Sequence, residues 1–209
     1  MIDEIIFEDV GLSFGGREIF KSVSLKIKAG RVIGIVGQNG AGKSTFLKLA
    51  AKIIQPDTGE IKIHDEKFLS RAEILHRIAA VTPEMKIYDD LTAEENLNFF
   101  SRLRGKILTA EKIFELGGRV GLDFEIFGRE RVKNFSTGMR QRLKFLILLS
   151  VDAEILLLDE PTANLDDAGK KIFLAEIKNA AQSGKTVLLA TNDKLDAEAC
   201  DEIIKLPII

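Results

Sequence analysis

The stretch Gly37-Gln38-Asn39-Gly40-Ala41-Gly42-Lys43-Ser44 constrains this chain more than any other. It follows Val32 to Val36, a continuous apolar run of the sort buried in a parallel sheet. It precedes Ser44 to Ile54, which reads as a helix ended by Gln55-Pro56-Asp57. Glycines between a buried strand and a helix let backbone N–H groups turn inward and wrap a phosphate, while the helix aims its positive N-terminal end at the same place. The spacing matches the phosphate-binding loop pattern, in which Lys43 reaches the β/γ-phosphates and the Ser44 hydroxyl binds Mg²⁺.

The second half of such a site is Ile155-Leu156-Leu157-Leu158-Asp159-Glu160. An apolar strand here carries carboxylates at its C-terminal end, where ligands bind in open α/β sheets. Asp159 is placed to hold Mg²⁺ and Glu160 to polarise an attacking water. Either pattern alone has an ordinary reading, as a Gly-rich turn or a solvated strand end. Together they point to nucleotide chemistry.

The rest of the chain is expected to build an α/β core. Ile5 to Val10, Ser22 to Ile27 and Gly59 to Ile63 read as strands, as does Val187 to Ala190. From about residue 83 to 150 the chemistry shifts towards helices. Thr92-Ala93-Glu94-Glu95 is a capping box, with Leu97, Phe99 and Phe100 apolar behind it. Ser136 can cap a helix whose apolar face includes Met139, Leu143, Leu146 and Ile147. Ala168 to Gln182 is a further helix, with Gly184 suited to the position just past its end. Strands alternating with helices imply a parallel sheet, interrupted here by a helical insertion.

Composition narrows the function classes. Thirty Lys+Arg against 32 Asp+Glu leave a net charge of −2, with no nucleic-acid or anionic-lipid footprint. The single Cys200 excludes an internal disulfide and fits a reducing compartment. The opening Met-Ile-Asp-Glu-Ile has neither a basic nor an apolar leader region, so a secretory signal is not expected. Apolar runs such as Phe145 to Leu149 fall well short of the about 20 residues that span a bilayer. The expectation is a soluble chain whose membrane role, if it has one, comes through a partner. His64, following a strand, and His76, in a helix, lack metal-ligand spacing.

Between the two phosphate patterns lies Asn134-Phe135-Ser136-Thr137-Gly138-Met139-Arg140-Gln141-Arg142. It resembles the signature sequence of the ABC (ATP-binding cassette) ATPases, in a Ser-Thr-Gly-Met variant similar to exporter ATPases such as the haem-export subunit of cytochrome c maturation. Ala163-Asn164-Leu165-Asp166 is similar to that family's dimer-contacting loop. The resemblance covers nearly the whole chain. It implies a P-loop NTPase core with a mainly parallel sheet, an N-terminal antiparallel β subdomain and the helical insertion, all in one ATP-binding domain over residues 1–209.

It further implies an ATP-binding set of Phe14, Gly37, Gln38, Asn39, Gly40, Ala41, Gly42, Lys43, Ser44 and Thr45. Ser136, Thr137 and Gly138 would contact the ATP of a partner subunit across a head-to-tail dimer, with Asp166 in the dimer loop. Phe14 falls where the family stacks an aromatic ring on adenine; the other reading is a strand aromatic in the core. Pro83 or Glu84 stands where the family has its coupling-loop Gln, and Glu84 is a further candidate towards Mg²⁺. Asn192 stands at the family's switch His; the other reading is a cap of a strand-to-helix turn. These departures lead us to expect slow hydrolysis.

The function implied is ATP binding and hydrolysis with Mg²⁺, by a homodimer or a heterodimer with another ABC ATPase, driving a separate transmembrane transporter subunit. Such a chain would be cytoplasmic and peripheral on the inner face of the cell membrane, with no nucleic acid expected. Two alternatives stand beside it: a soluble ABC ATPase, as in iron–sulfur assembly, and a slow-hydrolysing regulatory nucleotide-binding subunit.

Overall fold

The computed structural model describes residues 2–65 and 71–207. Among them run two sheets. A 3-stranded antiparallel sheet is ordered β2-β1-β4, from β1 (Ile2–Phe14), β2 (Arg17–Lys28) and β4 (Thr58–Asp65). A 5-stranded parallel sheet is ordered β5-β6-β7-β3-β8, from β3 (Val32–Val36), β5 (Ile78–Val81), β6 (Ile155–Asp159), β7 (Thr186–Thr191) and β8 (Glu202–Lys205). This is the expected α/β architecture with its N-terminal antiparallel subdomain.

The central strands are apolar without alternation because both faces are covered. Leu156, Leu158, Val187 and Leu189 face one core, shared with α3 (Ala93–Leu103), α4 (Ala110–Arg119), α6 (Thr137–Ser150) and α7 (Asp167–Gln182). Ile155, Leu157, Leu188 and Ala190 face a second core, shared with α1 (Lys43–Ala50) and the antiparallel sheet. Helix α1 joins the two sheets. Its buried Phe46 stacks on Phe7 of β1, ring centroids 4.9 Å apart, and meets Phe20 of β2 edge-on. Truncating such a ring costs about 3–5 kcal/mol, so the phosphate loop is anchored directly to the core.

Helix α1 is shorter than the sequence suggests, ending at Ala50 rather than Ile54. Lys52 takes a left-handed φ of 55°, Ile53 N–H donates to Lys48 O at 2.9 Å, and Lys52 N–H donates to Leu49 O at 2.8 Å. That is a Schellman stop with Lys where Gly is usual. The capping box of α3 forms as read: Glu95 N–H donates to the Thr92 hydroxyl, and the Glu95 carboxylate accepts from Thr92 N–H. Between α4 and α6 lie the short α5 (Phe124–Phe127) and a 3-10 turn at Val132–Asn134. His64 lies within β4, opposite Glu4, rather than after a strand. Helix α2 (Arg71–His76) ends on His76, and α8 (Lys194–Glu198) follows β7.

Candidate functional site

The phosphate loop leaves β3 at the C-terminal edge of the parallel sheet and enters α1 through Gly42. Gly42 has φ 96°, and a Cβ there would lie 2.9 Å from the Ile19 side chain, so both backbone and space require glycine. No side chain caps α1. Its first-turn N–H groups therefore face the loop as donors to an anion. Lys43 is 7% exposed, and its Nζ donates to Gly37 O at 2.9 Å and lies 3.2 Å from Glu160 Oε1. The second contact is an ion pair outside hydrogen-bond alignment, which leaves Glu160 Oε1 without a hydrogen-bond partner.

Glu160 begins the loop after β6 with a left-handed φ of 47°, a sparsely populated conformation for a residue with a Cβ. Its N–H donates to Ala190 O at 2.9 Å, tying this turn to β7. Asp159, 5% exposed, closes β6 beside it. One strand over, β7 ends at Thr191, and the exposed Asn192 bridges the site. Asn192 N–H approaches Glu160 Oε2 at 3.4 Å, and its side-chain amide donates to Asn39 Oδ1 at 3.1 Å. Lys43, Glu160, Asn192 and Asn39 thus touch in one chain of contacts. Asn192 is not the cap of the following turn: Asp193 caps α8, accepting from Leu195 N–H at 2.8 Å.

The residues Ser136, Thr137 and Gly138 sit at the start of α6. Ser136 caps it, accepting from Met139 N–H at 3.2 Å, and both Ser136 and Thr137 are exposed. A Cβ on Gly138 would lie 3.2 Å from Asn164 O, so glycine here lets α6 approach the loop after β6. Asp166 caps α7, accepting from Gly169 N–H at 2.9 Å, and accepts from Arg142 at 3.0 Å. Arg142 also donates to Val120 O at 2.8 Å, so this one side chain of α6 ties α7 to the end of α4. In the sequence Arg142 carries no signal beyond its place in the Ser136 to Arg142 pattern.

Phe14 is 53% exposed at the end of β1, where Gly15-Gly16 turn the chain into β2, so the core reading does not hold. Pro83 and Glu84 lie exposed after β5. The Glu84 carboxyl is held below its ordinary range by hydrogen bonds from its own backbone and the Thr82 hydroxyl, with Lys48 and Lys144 nearby. Just beyond, the fully buried Asn96 clamps Tyr88, accepting from its N–H at 2.8 Å and donating to its carbonyl at 2.9 Å. Asn96, Thr162, Thr191 and Asp196 were not singled out from sequence, because their hydrogen bonds close only in the fold. No group of three His, Cys, Asp or Glu among the described residues can hold a metal ion unaided.

These features, a glycine-wrapped anion site at the C-terminal edge of a parallel sheet with an Asp-Glu pair beside it, define a nucleotide-binding α/β cassette. The ABC transporter family model matches residues 20–163, and the chain belongs to that family of ATP-binding cassette ATPases. NatA, an ABC transporter ATP-binding protein of Bacillus subtilis (strain 168), is 36% identical over 191 residues, covering 89% of this chain and 77% of that protein. YdbJ of the same organism, an uncharacterised ABC transporter ATP-binding protein, is 34% identical over 203 residues, covering 94% of this chain. The Nod factor export ATP-binding protein I of Burkholderia orbicola (strain AU 1054) is 32% identical over 201 residues, covering 95% of this chain. This chain spans 64% and 66% of the lengths of the last two, about two thirds. Among solved structures, the dimeric form of MJ0796, a bacterial ABC transporter cassette, superposes with a TM-score of 0.83 at 27% identity, covering 97% of this chain and 94% of that one. A post-hydrolysis dimer of MJ0796 bound to ADP and phosphate superposes with a TM-score of 0.82 at 26% identity.

Proposed function

We propose that this chain binds and hydrolyses ATP in a head-to-tail dimer and drives a separate transmembrane transporter subunit. The observation that carries this reading is the contact chain Lys43–Glu160–Asn192–Asn39 beside the uncapped start of α1. Gly37 to Thr45 wrap the phosphates, and Phe14 offers an exposed ring to adenine. Lys43 neutralises the β/γ-phosphates, Glu160 orients the attacking water, and Asn192 donates to the γ-phosphate. Ser136, Thr137 and Gly138 of one subunit face the ATP of the other; in support, Ser136 and Thr137 are exposed at a helix start. Asp166 lies in the loop that meets the partner subunit.

The donor set suits Mg²⁺ carried by the nucleotide. A Ser44 hydroxyl and the Asp159 carboxylate are hard oxygen ligands, of the kind Mg²⁺ takes beside waters and phosphate oxygens. Ser44 and Asp159 would hold it, with Glu84 a further ligand candidate. Bound there, it supplies positive charge to the phosphate oxygens.

Residues 1–209 act as a single ATP-binding domain in this reading, with about 83–150 as its helical subdomain. Among the described residues no helix is long and apolar enough to cross a membrane. In this reading the transmembrane part is a separate subunit, and the chain works from the cytoplasmic face. The docking region is residues 83–88 and the start of the helical subdomain. There the half-exposed Tyr88 ring packs on Phe99 at 5.0 Å and on Phe100. The test is Glu160→Gln. It should keep ATP binding, abolish hydrolysis and trap a dimer on gel filtration with Mg·ATP. A variant that binds ATP yet stays monomeric at every concentration refutes the sandwich.

A further inference from the structure

Asp196 lies in α8 with 0% of its surface exposed. Its Oδ2 accepts from the Thr162 hydroxyl at 2.7 Å and from the Thr191 hydroxyl at 3.0 Å. Its Oδ1 is buried with no hydrogen-bond partner. Thr162 is two residues beyond Glu160, and Thr191 immediately precedes Asn192. The carboxylate therefore bridges the loop after β6 and the end of β7, which are also joined by Glu160 N–H to Ala190 O and Asn192 N–H to Glu160 Oε2.

Stability does not account for this choice of residue. Helix α8 is already capped by Asp193. Burying a carboxylate costs more than two hydroxyl bonds return when one oxygen stays unpartnered, and a well-packed apolar residue of similar volume is often neutral or stabilising in such a place. Burial pushes the Asp196 carboxyl above its ordinary range, as expected of a group held at energetic cost. The two threonines add to the argument. Each is buried, each is β-branched and so stiff at χ1, and each spends its hydroxyl proton on the same oxygen. Thr191 also accepts from Asp193 N–H at 2.9 Å, extending the bridge to the start of α8.

We propose that Asp196 is a positioning residue of the ATPase site, clamped between Thr162 and Thr191 so that Glu160 and Asn192 keep their relative placement. The proposal rests on the hydrolytic reading above and deepens it. Asp196 is fully buried, and it acts through the two threonines. A shift of about 1 Å in a reacting group costs about a hundredfold in rate, and a bridge of two short bonds is the kind of device that prevents it.

Asp196→Leu replaces the carboxylate by an apolar side chain of the same branching and greater volume and Asp196→Asn keeps an acceptor for both hydroxyls, while Thr162→Val removes one arm without altering shape. Asp196→Leu is expected to fold, with the relief of a buried carboxylate offsetting the added volume, and to bind ATP as the wild type does. Its kcat should fall by about tenfold to a hundredfold. Asp196→Asn should retain most of the rate. Thr162→Val should fall part of the way and add nothing in the Asp196→Leu background, because the two act through one bridge. Amide hydrogen exchange over residues 160–165 and 191–195 should lose protection in Asp196→Leu. Wild-type turnover with unchanged kcat in folded Asp196→Leu overturns the proposal. So does unchanged exchange over those residues, whether or not the chain hydrolyses ATP. A wild type that binds ATP without turnover instead refutes the hydrolytic reading, and the exchange measurement still decides the bridge.

Discussion

Replacing Asn192 by His tests the chemistry of the site most directly. The backbone N–H of Asn192 approaches Glu160 Oε2 at 3.4 Å, and this contact survives substitution. The side-chain amide donates to Asn39 Oδ1 at 3.1 Å, so donating to a γ-phosphate requires breaking that bond. A neutral hydrogen bond contributes about 0.5–1.5 kcal/mol, whereas one to a charged group contributes about 1.5–3 kcal/mol. An imidazole reaches further than an Asn amide, and in its cationic form it adds charge where the transition state develops it. Both side chains would donate to a charged phosphate, so the difference is the cost of breaking the neutral Asn39 bond, about 0.5–1.5 kcal/mol or about twofold to tenfold in rate. Asn192→His is therefore expected to raise steady-state phosphate release, by up to about tenfold. Nucleotide affinity should be unchanged, because Lys43 and the loop amides are untouched. The assay is phosphate release measured beside nucleotide binding, with Glu160→Gln as the inactive baseline. An unchanged or lower rate in an Asn192→His protein with wild-type Tm refutes the argument that Asn192 limits hydrolysis.

Asp193 supplies a pH test. It caps α8 and pairs with Lys170 at 2.6 Å, and that hydrogen bond holds its carboxyl below the ordinary 3.8. A depressed carboxyl stabilises the fold above its unfolded pKa and loses that contribution as pH falls through the folded one. Asp193→Ala should lower stability by about 1 kcal/mol near neutral pH, read as Tm, and the gap should close below about pH 4; an equal gap at both ends refutes the charge account. Lys86 tests the membrane partner. It is exposed on the loop after β5, and crosslinking from it in native membranes should capture an integral membrane protein; recovery of soluble assembly factors alone favours the soluble-ATPase alternative.

What could be read from the sequence was whatever the chain settles within a few residues. The phosphate loop is legible because glycine spacing, strand and helix are contiguous. The Thr92 and Ser136 caps are legible because donor and acceptor lie three residues apart. The end of α1 was misread because Lys52, not glycine, takes the left-handed position, and Pro56 drew the boundary outward. Strands β5 and β8 went unread for a related reason: both are edge strands of only four residues, too short to show a pattern.

The contacts that assemble the site belong to a different class. Asn39 and Asn192 are 153 positions apart, and Thr162 and Asp196 are 34 apart. No local periodicity couples such positions, since the register of β3, β6 and β7 in the parallel sheet is what sets them side by side. The residues hardest to find this way have ordinary local readings. Thr162 reads as a turn residue after a proline, Thr191 as the end of an apolar strand, and Asp196 as an acid on a short helix. Only when β6 and β7 are paired, with Asp159 opposite Ala190, do the two hydroxyls converge on one buried carboxylate. The placement of Glu160 against Asn192 is thus a property of sheet register, which is why a residue remote from the phosphates can govern it.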